Sequence, residues 1–121
     1  MVGKNILVVD DSPTERQLTM NALKSLNCRV TSAASGEEAL QQIQAKRPDL
    51  IILDVVMPGT NGFQLCRQIK NNADTKEIKV ILLTSKNQQA DKFWGMKQGA
   101  DLYVTKPFED EQLVQSVMSL A

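Results

Sequence analysis

The chain contains no histidine, and its two cysteines, Cys28 and Cys66, stand far apart without a CxxC spacing. Together these absences exclude the usual zinc sites, and two buried, reduced thiols are the expectation. Net charge is lacking as well. The 14 basic and 14 acidic residues cancel, which argues against the electrostatic footprint of a nucleic-acid or anionic-membrane binder and leaves a protein or a small molecule as partner. Aromatic residues make up only 4% of the chain, so the core must be built from Ile, Leu and Val with Ala-containing helices. No apolar run approaches the length of a membrane span. The apolar stretch near the N-terminus, Ile6 to Val9, is too short for a signal peptide, and a cytoplasmic location is the default expectation. No linker, low-complexity tract or solenoid-type repeat divides the 121 residues, and residues 1–121 are expected to form one domain.

What is present is an alternation. Four aliphatic runs, Ile6 to Val9, Leu50 to Leu53, Val80 to Leu83 and Leu102 to Val104, read as strands buried on both faces. Arg29 to Ala33 is shorter and more polar, as suits an edge strand. Segments of helical length separate them. Ser12-Pro13-Thr14-Glu15 and Ser35-Gly36-Glu37-Glu38 both carry a capping serine with glutamate three residues on, so a helix starts just after each of the first two strands. Helical spacing predicts buried stripes of Leu18, Ala22, Leu23 and Leu26 in the first helix and Phe63, Cys66 and Ile69 in the third. For the last helix it predicts Leu113, Val114, Val117 and Met118. Phe93 and Trp94 are expected mainly as core anchors, with an outward-facing Trp94 as an interaction candidate. Gly95 between helix formers makes the fourth helix adaptable, at a cost of about 1 kcal/mol relative to alanine. The pattern predicts an α/β fold, a doubly wound parallel sheet with helices on both faces.

Such sheets bind ligands at the carboxyl ends of their strands. There stand Asp10 and Asp11 after the first strand, Asp54 after the third, Thr84 at the fourth and Lys106 after the fifth. Each alone has a plain explanation, since an Asp caps or turns, a Thr fills a strand and a Lys is solvated. Together on one sheet edge they make a site. Three carboxylates in one place remain ionised only with compensating positive charge, which Lys106 and a divalent cation would supply. Oxygen ligands without imidazole or thiolate favour a hard ion, Mg2+ before Ca2+ because no EF-hand spacing is present.

At these residues the chain resembles the receiver domain of two-component response regulators. The resemblance runs through "ILVVDDS" at 6–12, "DLIILDVVMPGTNGFQL" at 49–65, "VILLTS" at 80–85 and "GADLYVTKPF" at 99–108. It implies a five-stranded flavodoxin-like sheet in the order 2-1-3-4-5 with five helices. It also implies Asp54 as phosphoacceptor, Asp11 as a direct Mg2+ ligand, Asp10 as a ligand largely through water, and the Val56 carbonyl as a further ligand. Thr84 and Lys106 would hold the phosphoryl oxygens. Tyr103 would be the aromatic switch, its ring turning in from an outward position when Thr84 is drawn to the phosphoryl group.

The partners implied are a histidine kinase as phosphodonor, since this chain has no histidine of its own, and a downstream signalling or motility protein. Neither nucleic acid nor membrane is implied, and a monomer is expected. The stretch from Thr84 to Phe108 resembles stand-alone chemotaxis-type regulators of type IV pilus motility and phototaxis. Val56 and Lys86, two residues past Asp54 and Thr84, depart from the polar or acidic residues of chemotaxis regulators and imply a different acyl-phosphate lifetime. The rival readings are a magnesium-dependent phosphatase with an aspartyl nucleophile, a flavodoxin-like cofactor binder, and a receiver acting as phosphate sink or unphosphorylated interaction module. The first lacks a DxD motif and cap domain, and the second lacks a glycine-rich phosphate loop.

Overall fold

The computed structural model describes residues 3–59 and 61–120. In chain order the elements are β1 (Asn5–Val9), α1 (Pro13–Ala22), β2 (Arg29–Ala33), α2 (Gly36–Ala45) and β3 (Leu50–Leu53). They continue with α3 (Gly62–Lys70), β4 (Lys79–Thr84), α4 (Gln89–Lys97), β5 (Leu102–Thr105) and α5 (Asp110–Ser119). The strands form one parallel sheet in the order β2-β1-β3-β4-β5, as the resemblance implied.

Strand alternation sorts the aliphatic residues into two cores. Leu7, Val9, Ile51, Leu53, Val80 and Leu82 pack with Ala39 and Ile43 of α2 and Leu65, Cys66 and Ile69 of α3. Ile6, Val8, Leu50, Ile52, Ile81 and Leu83 pack on the opposite face with Ala22 of α1, Leu23, and Leu113 and Val117 of α5. The register pairs Val9 with Leu53 and Leu53 with Leu82, so the strands end level with one another. Asp10 and Asp54 therefore emerge side by side, and Asp54 N–H donates to the Val9 carbonyl at 3.0 Å.

The helix starts match the sequence signals, with one change. Ser12 Oγ accepts from Glu15 N–H at 3.2 Å and Ser35 Oγ from Glu38 N–H at 3.1 Å. Neither glutamate completes a capping box, however: Ser12 N–H donates to Asp10 Oδ1, and Glu38 Oε2 accepts from Ala34 N–H. α3 starts with a full box that the sequence reading overlooked, in which Asn61 and Gln64 exchange side-chain and backbone hydrogen bonds.

Several stripe assignments need correction. Leu18 is 53% exposed and Met118 54% exposed. At about 100° per residue Thr19, Ala22 and Leu23 centre the buried face of the first helix, which puts Leu18 at its margin. Thr19 is buried in its place, its hydroxyl donating to the Glu15 carbonyl at 3.1 Å. In α5 the buried face centres between Leu113 and Val117, and Met118 turns past its edge. Phe93 and Trp94 are not core anchors but are 62% and 54% exposed. Of the two thiols only Cys66 is fully buried, and burial pushes it up to about 11; Cys28 is half-buried and is raised for the same reason. Both stay protonated at neutral pH, which fits packing and not chemistry.

Replacing Leu113 by alanine is expected to lower the free energy of unfolding by about 2–5 kcal/mol, as for other buried leucines. Met118→Ala should change it by less than about 0.5 kcal/mol. Urea denaturation of the two variants checks this, and equal losses would contradict the corrected face of α5.

Candidate functional site

The carboxyl edge of the sheet opens into a cleft of about 610 Å³. Asp10, Asp11, Asp54, Val56 and Lys106 all line it, and Thr84 and Tyr103 do not. Asp10 and Asp54 are 3% and 9% exposed, unusual burial for carboxylates, and each oxygen of the pair has a partner. Asp10 accepts Ser12 N–H on Oδ1 (3.0 Å) and Lys106 Nζ on Oδ2 (2.8 Å). Asp54 accepts Val56 N–H on Oδ1 (3.0 Å) and the same Lys106 Nζ on Oδ2 (3.1 Å). One ammonium thus joins β1, β3 and the segment after β5. Burial is the largest single influence on Lys106 and pulls its pKa down, but the hydrogen bonds and charges of Asp10 and Asp54 outweigh it and leave the pKa raised. Lys106 is a fixed positive charge at neutral pH.

Other residues hold this arrangement in place. Arg16, from α1, donates through Nη1 to the Asp10 carbonyl at 2.8 Å and pins the end of β1. Gly62 N–H donates to the Val55 carbonyl at 2.9 Å, and a Cβ at position 62 would collide with the Asp54 carbonyl and the Val55 backbone. Glycine is required where α3 abuts the strand end that carries Asp54. Gly59 takes φ +77° in the intervening turn, which a side chain would resist; its neighbour Thr60 lies outside the described residues.

Glu15, Asp110, Ser85 and Phe108 contribute to the cleft beyond the strand-end residues. Glu15, taken only as a capping residue, turns its carboxylate toward Lys106 at 4.0 Å and lines the cleft with Asp110. Ser85 lines the cleft next to Thr84, and Phe108 lines it beyond Lys106. Capping signals and strand ends carry no information about where a half-exposed side chain swings, so Glu15 was legible only once α1 was placed. The cleft thereby holds five carboxylates (Asp10, Asp11, Glu15, Asp54, Asp110) against one ammonium.

Thr84 and Tyr103 occupy different ground. Thr84 is fully buried, and its hydroxyl accepts a long hydrogen bond from Lys86 N–H at 3.4 Å. The Tyr103 ring is half-buried against the α2/α3 core, and its hydroxyl donates to the Lys86 carbonyl at 2.7 Å. Burial, with the charges of Asp91 and Asp54 adding to it, pushes its pKa up to about 12. Both residues meet at Lys86, not at the carboxylates.

Can the cleft hold a metal ion? Among the described residues no three ligand-type side chains converge closely enough to hold one as they stand. Lys106 sits between Asp10 and Asp54, where it serves both carboxylates. The donor chemistry nevertheless fits magnesium, a hard ion that is content with one or two carboxylates plus water and phosphate oxygens. Asp10, Asp11 and Asp54 supply oxygen alone.

A family model described as the response regulator receiver domain matches residues 6–118. The chain belongs to this family. The receiver is 42% identical over 112 residues to the protein PilH of Pseudomonas aeruginosa, covering 93% of each chain. It is 40% identical over 115 residues to PilG of the same organism, covering 95% of this chain and 85% of that one. Among solved structures it is similar to the chemotaxis protein CheY4 of Vibrio cholerae, with a TM-score of 0.91, 32% identity and coverage of 99% and 100%. It is thus a two-component response regulator receiver close to chemotaxis and pilus regulators, a family that generally uses Mg2+ for phosphorylation.

The shared ammonium gives a direct stability test. Lys106→Met leaves two buried carboxylates without their cation and should cost about 3–5 kcal/mol, the usual penalty for breaking a buried charge pair. Added magnesium should restore part of the loss. Urea denaturation of the variant with and without magnesium reads both effects, and an unchanged unfolding free energy would remove Lys106 from the centre of the site.

Proposed function

We propose that the receiver takes a phosphoryl group from a phosphohistidine of a histidine kinase onto Asp54, in a magnesium-dependent reaction. The chain would act in the cytoplasm as one monomeric domain, 1–121, passing its signal by protein contact to a motility or chemotaxis-type partner. The observation that carries the reading is the pairing of Asp54 with Lys106 and Asp10 in an open cleft at parallel strand ends. No helix among the described residues is long and apolar enough to cross a membrane.

The chain's own residues do the following. One Asp54 oxygen forms a bond to phosphorus as the phosphorus–nitrogen bond breaks, and the electron pair leaves with the imidazole ring. Lys106 is already within hydrogen-bond distance of Asp54, so its ammonium is placed to meet charge on the transferring oxygens. Thr84, buried at the end of β4, would add its hydroxyl to that contact only by moving toward the transferring oxygens. Asp10 and Asp11, with Asp54 and the Val56 carbonyl, would hold magnesium. The ion supplies neutralisation of the phosphoryl charge and relief of the repulsion among the carboxylates. Water attacking the same phosphorus breaks its bond to the Asp54 oxygen, which releases inorganic phosphate and returns Asp54 to its free carboxylate.

The Val56 side chain is 52% exposed at the cleft and has no atom to orient that water. A second reading, an interaction module that works unphosphorylated, is favoured by the exposed apolar side chains Phe93, Trp94 and Met96 on α4.

Incubation with magnesium and acetyl phosphate, followed by intact-mass measurement, is expected to show one phosphoryl adduct that is lost in Asp54→Asn. In the same samples, decay of the adduct should change at least several-fold in Val56→Asn and Lys86→Glu. No adduct, or one that survives in Asp54→Asn, would leave the interaction module as the function.

A further inference from the structure

Helix α4 is held to the sheet in an unusual way. Its only buried residue is Gly95, while Phe93, Trp94 and Met96 face outward. A helix normally grips a sheet with large side chains; this one meets it with bare backbone. Directly beneath lies the Tyr103 ring, on β5, in register with Leu82 of β4. A Cβ added at position 95 would stand 2.8 Å from Leu82 Cδ1 and 2.9 and 3.0 Å from Tyr103 Cδ2 and Cε2. Carbon atoms pack at about 3.5–4.0 Å, so a methyl group here would force the Leu82 side chain, the ring or the helix to shift. The ring cannot simply slide away, because its hydroxyl is anchored on the Lys86 carbonyl at 2.7 Å. Nor is glycine there for the helix, since alanine is the better helix former.

We propose that Gly95 is a positioning residue: lacking a Cβ, it seats the Tyr103 ring under α4, and the seated phenol holds the loop between Thr84 and α4 beside the phosphoryl cleft. The proposal rests on the reading of Asp54 as phosphoacceptor and adds the element that fixes the loop. Thr84, Lys86 and Tyr103 form one chain of contacts, through Lys86 N–H to Thr84 Oγ1 and Tyr103 Oη to the Lys86 carbonyl. Gly95 is its far support. With no side chain of its own anchoring α4, the helix rides on the ring, and any displacement of ring or loop moves the face that carries Phe93 and Trp94.

The test uses the full chain in four forms: wild type, Gly95→Ala, Tyr103→Ala and the double variant. Because the chain has one tyrosine, selective ring labelling gives an unambiguous NMR contact between Tyr103 and the Leu82 methyl groups. Magnesium–beryllofluoride affinity, followed by Trp94 fluorescence, reads the cleft. Gly95→Ala is expected to lose the ring–methyl contact and to bind beryllofluoride about fivefold or more weakly, a typical coupling between sites. In the Tyr103→Ala background the same substitution should change affinity by less than about twofold, because the partner of the coupling is gone. Should Gly95→Ala unfold, the double variant, with the space reopened, is expected to fold. A ring contact that persists in Gly95→Ala, an unchanged affinity, an equal loss in the Tyr103→Ala background, or a double variant that unfolds with the single one would each overturn the proposal. Failure of the wild type to bind beryllofluoride would overturn the phosphoacceptor reading instead, while the ring contact, measured without any phosphoryl mimic, still decides the seat.

Discussion

The contact on which the rest of the structure depends is the Lys106 ammonium shared between Asp10 and Asp54. Two carboxylates that close to each other and that deeply buried repel, and each has lost most of its hydration. One cation placed between them relieves both penalties and fixes three separate chain segments at once. Register makes this possible. Val9 and Leu53 pair in neighbouring parallel strands, so the residues that follow them, both aspartates, leave the sheet together. Arg16 and Gly62 serve the same end, one by tying down the backbone at Asp10 and the other by letting α3 close against the backbone at Asp54.

The compensation is deliberately incomplete in charge terms. With Asp11, Glu15 and Asp110 at the rim, five carboxylates surround one lysine. An excess of this kind keeps an anionic phosphodonor at a distance until further positive charge enters, and it makes a hard divalent cation the natural third party. Away from the carboxylates, Thr84 and Tyr103 connect to each other through Lys86, so the buried hydroxyl of β4 and the ring under α4 share one loop. Chemistry at the strand ends and the exposed apolar face of α4 are therefore neighbours, separated by a few side chains. That proximity is what a binding switch needs, because a small movement at the site has a short path to the surface.

Much of this is legible in the sequence. Continuous Ile, Leu and Val runs admit few structures other than doubly buried strands, and once the sheet is parallel, Asp10, Asp11, Asp54 and Lys106 must gather at one edge. What the sequence could not resolve was angular and steric. Leu18 and Met118 carry the right residue type for a core, yet the helix turn places them past the margin of the buried face, and hydrophobicity alone does not locate that margin. Phe93 and Trp94 misled for the opposite reason, since their size argues for burial while a glycine does the packing. Glu15 had a sufficient local role at the start of α1, which concealed its reach toward Lys106. The Tyr103 ring lies where a Cβ on Gly95 would crowd it, a relation between two elements that no local pattern contains.

Asp10 and Asp54 share the Lys106 ammonium, and we propose that the excess negative charge of this unit, with Asp11, admits a hard cation. A magnesium titration followed by backbone amide NMR addresses it most directly. Saturable shifts confined to the ends of β1 and β3 and the segment from Lys106 to Phe108 are expected, weakened roughly tenfold or more in Asp11→Asn. Shifts that never saturate, that spread evenly over the surface, or that are indifferent to Asp11→Asn would contradict it.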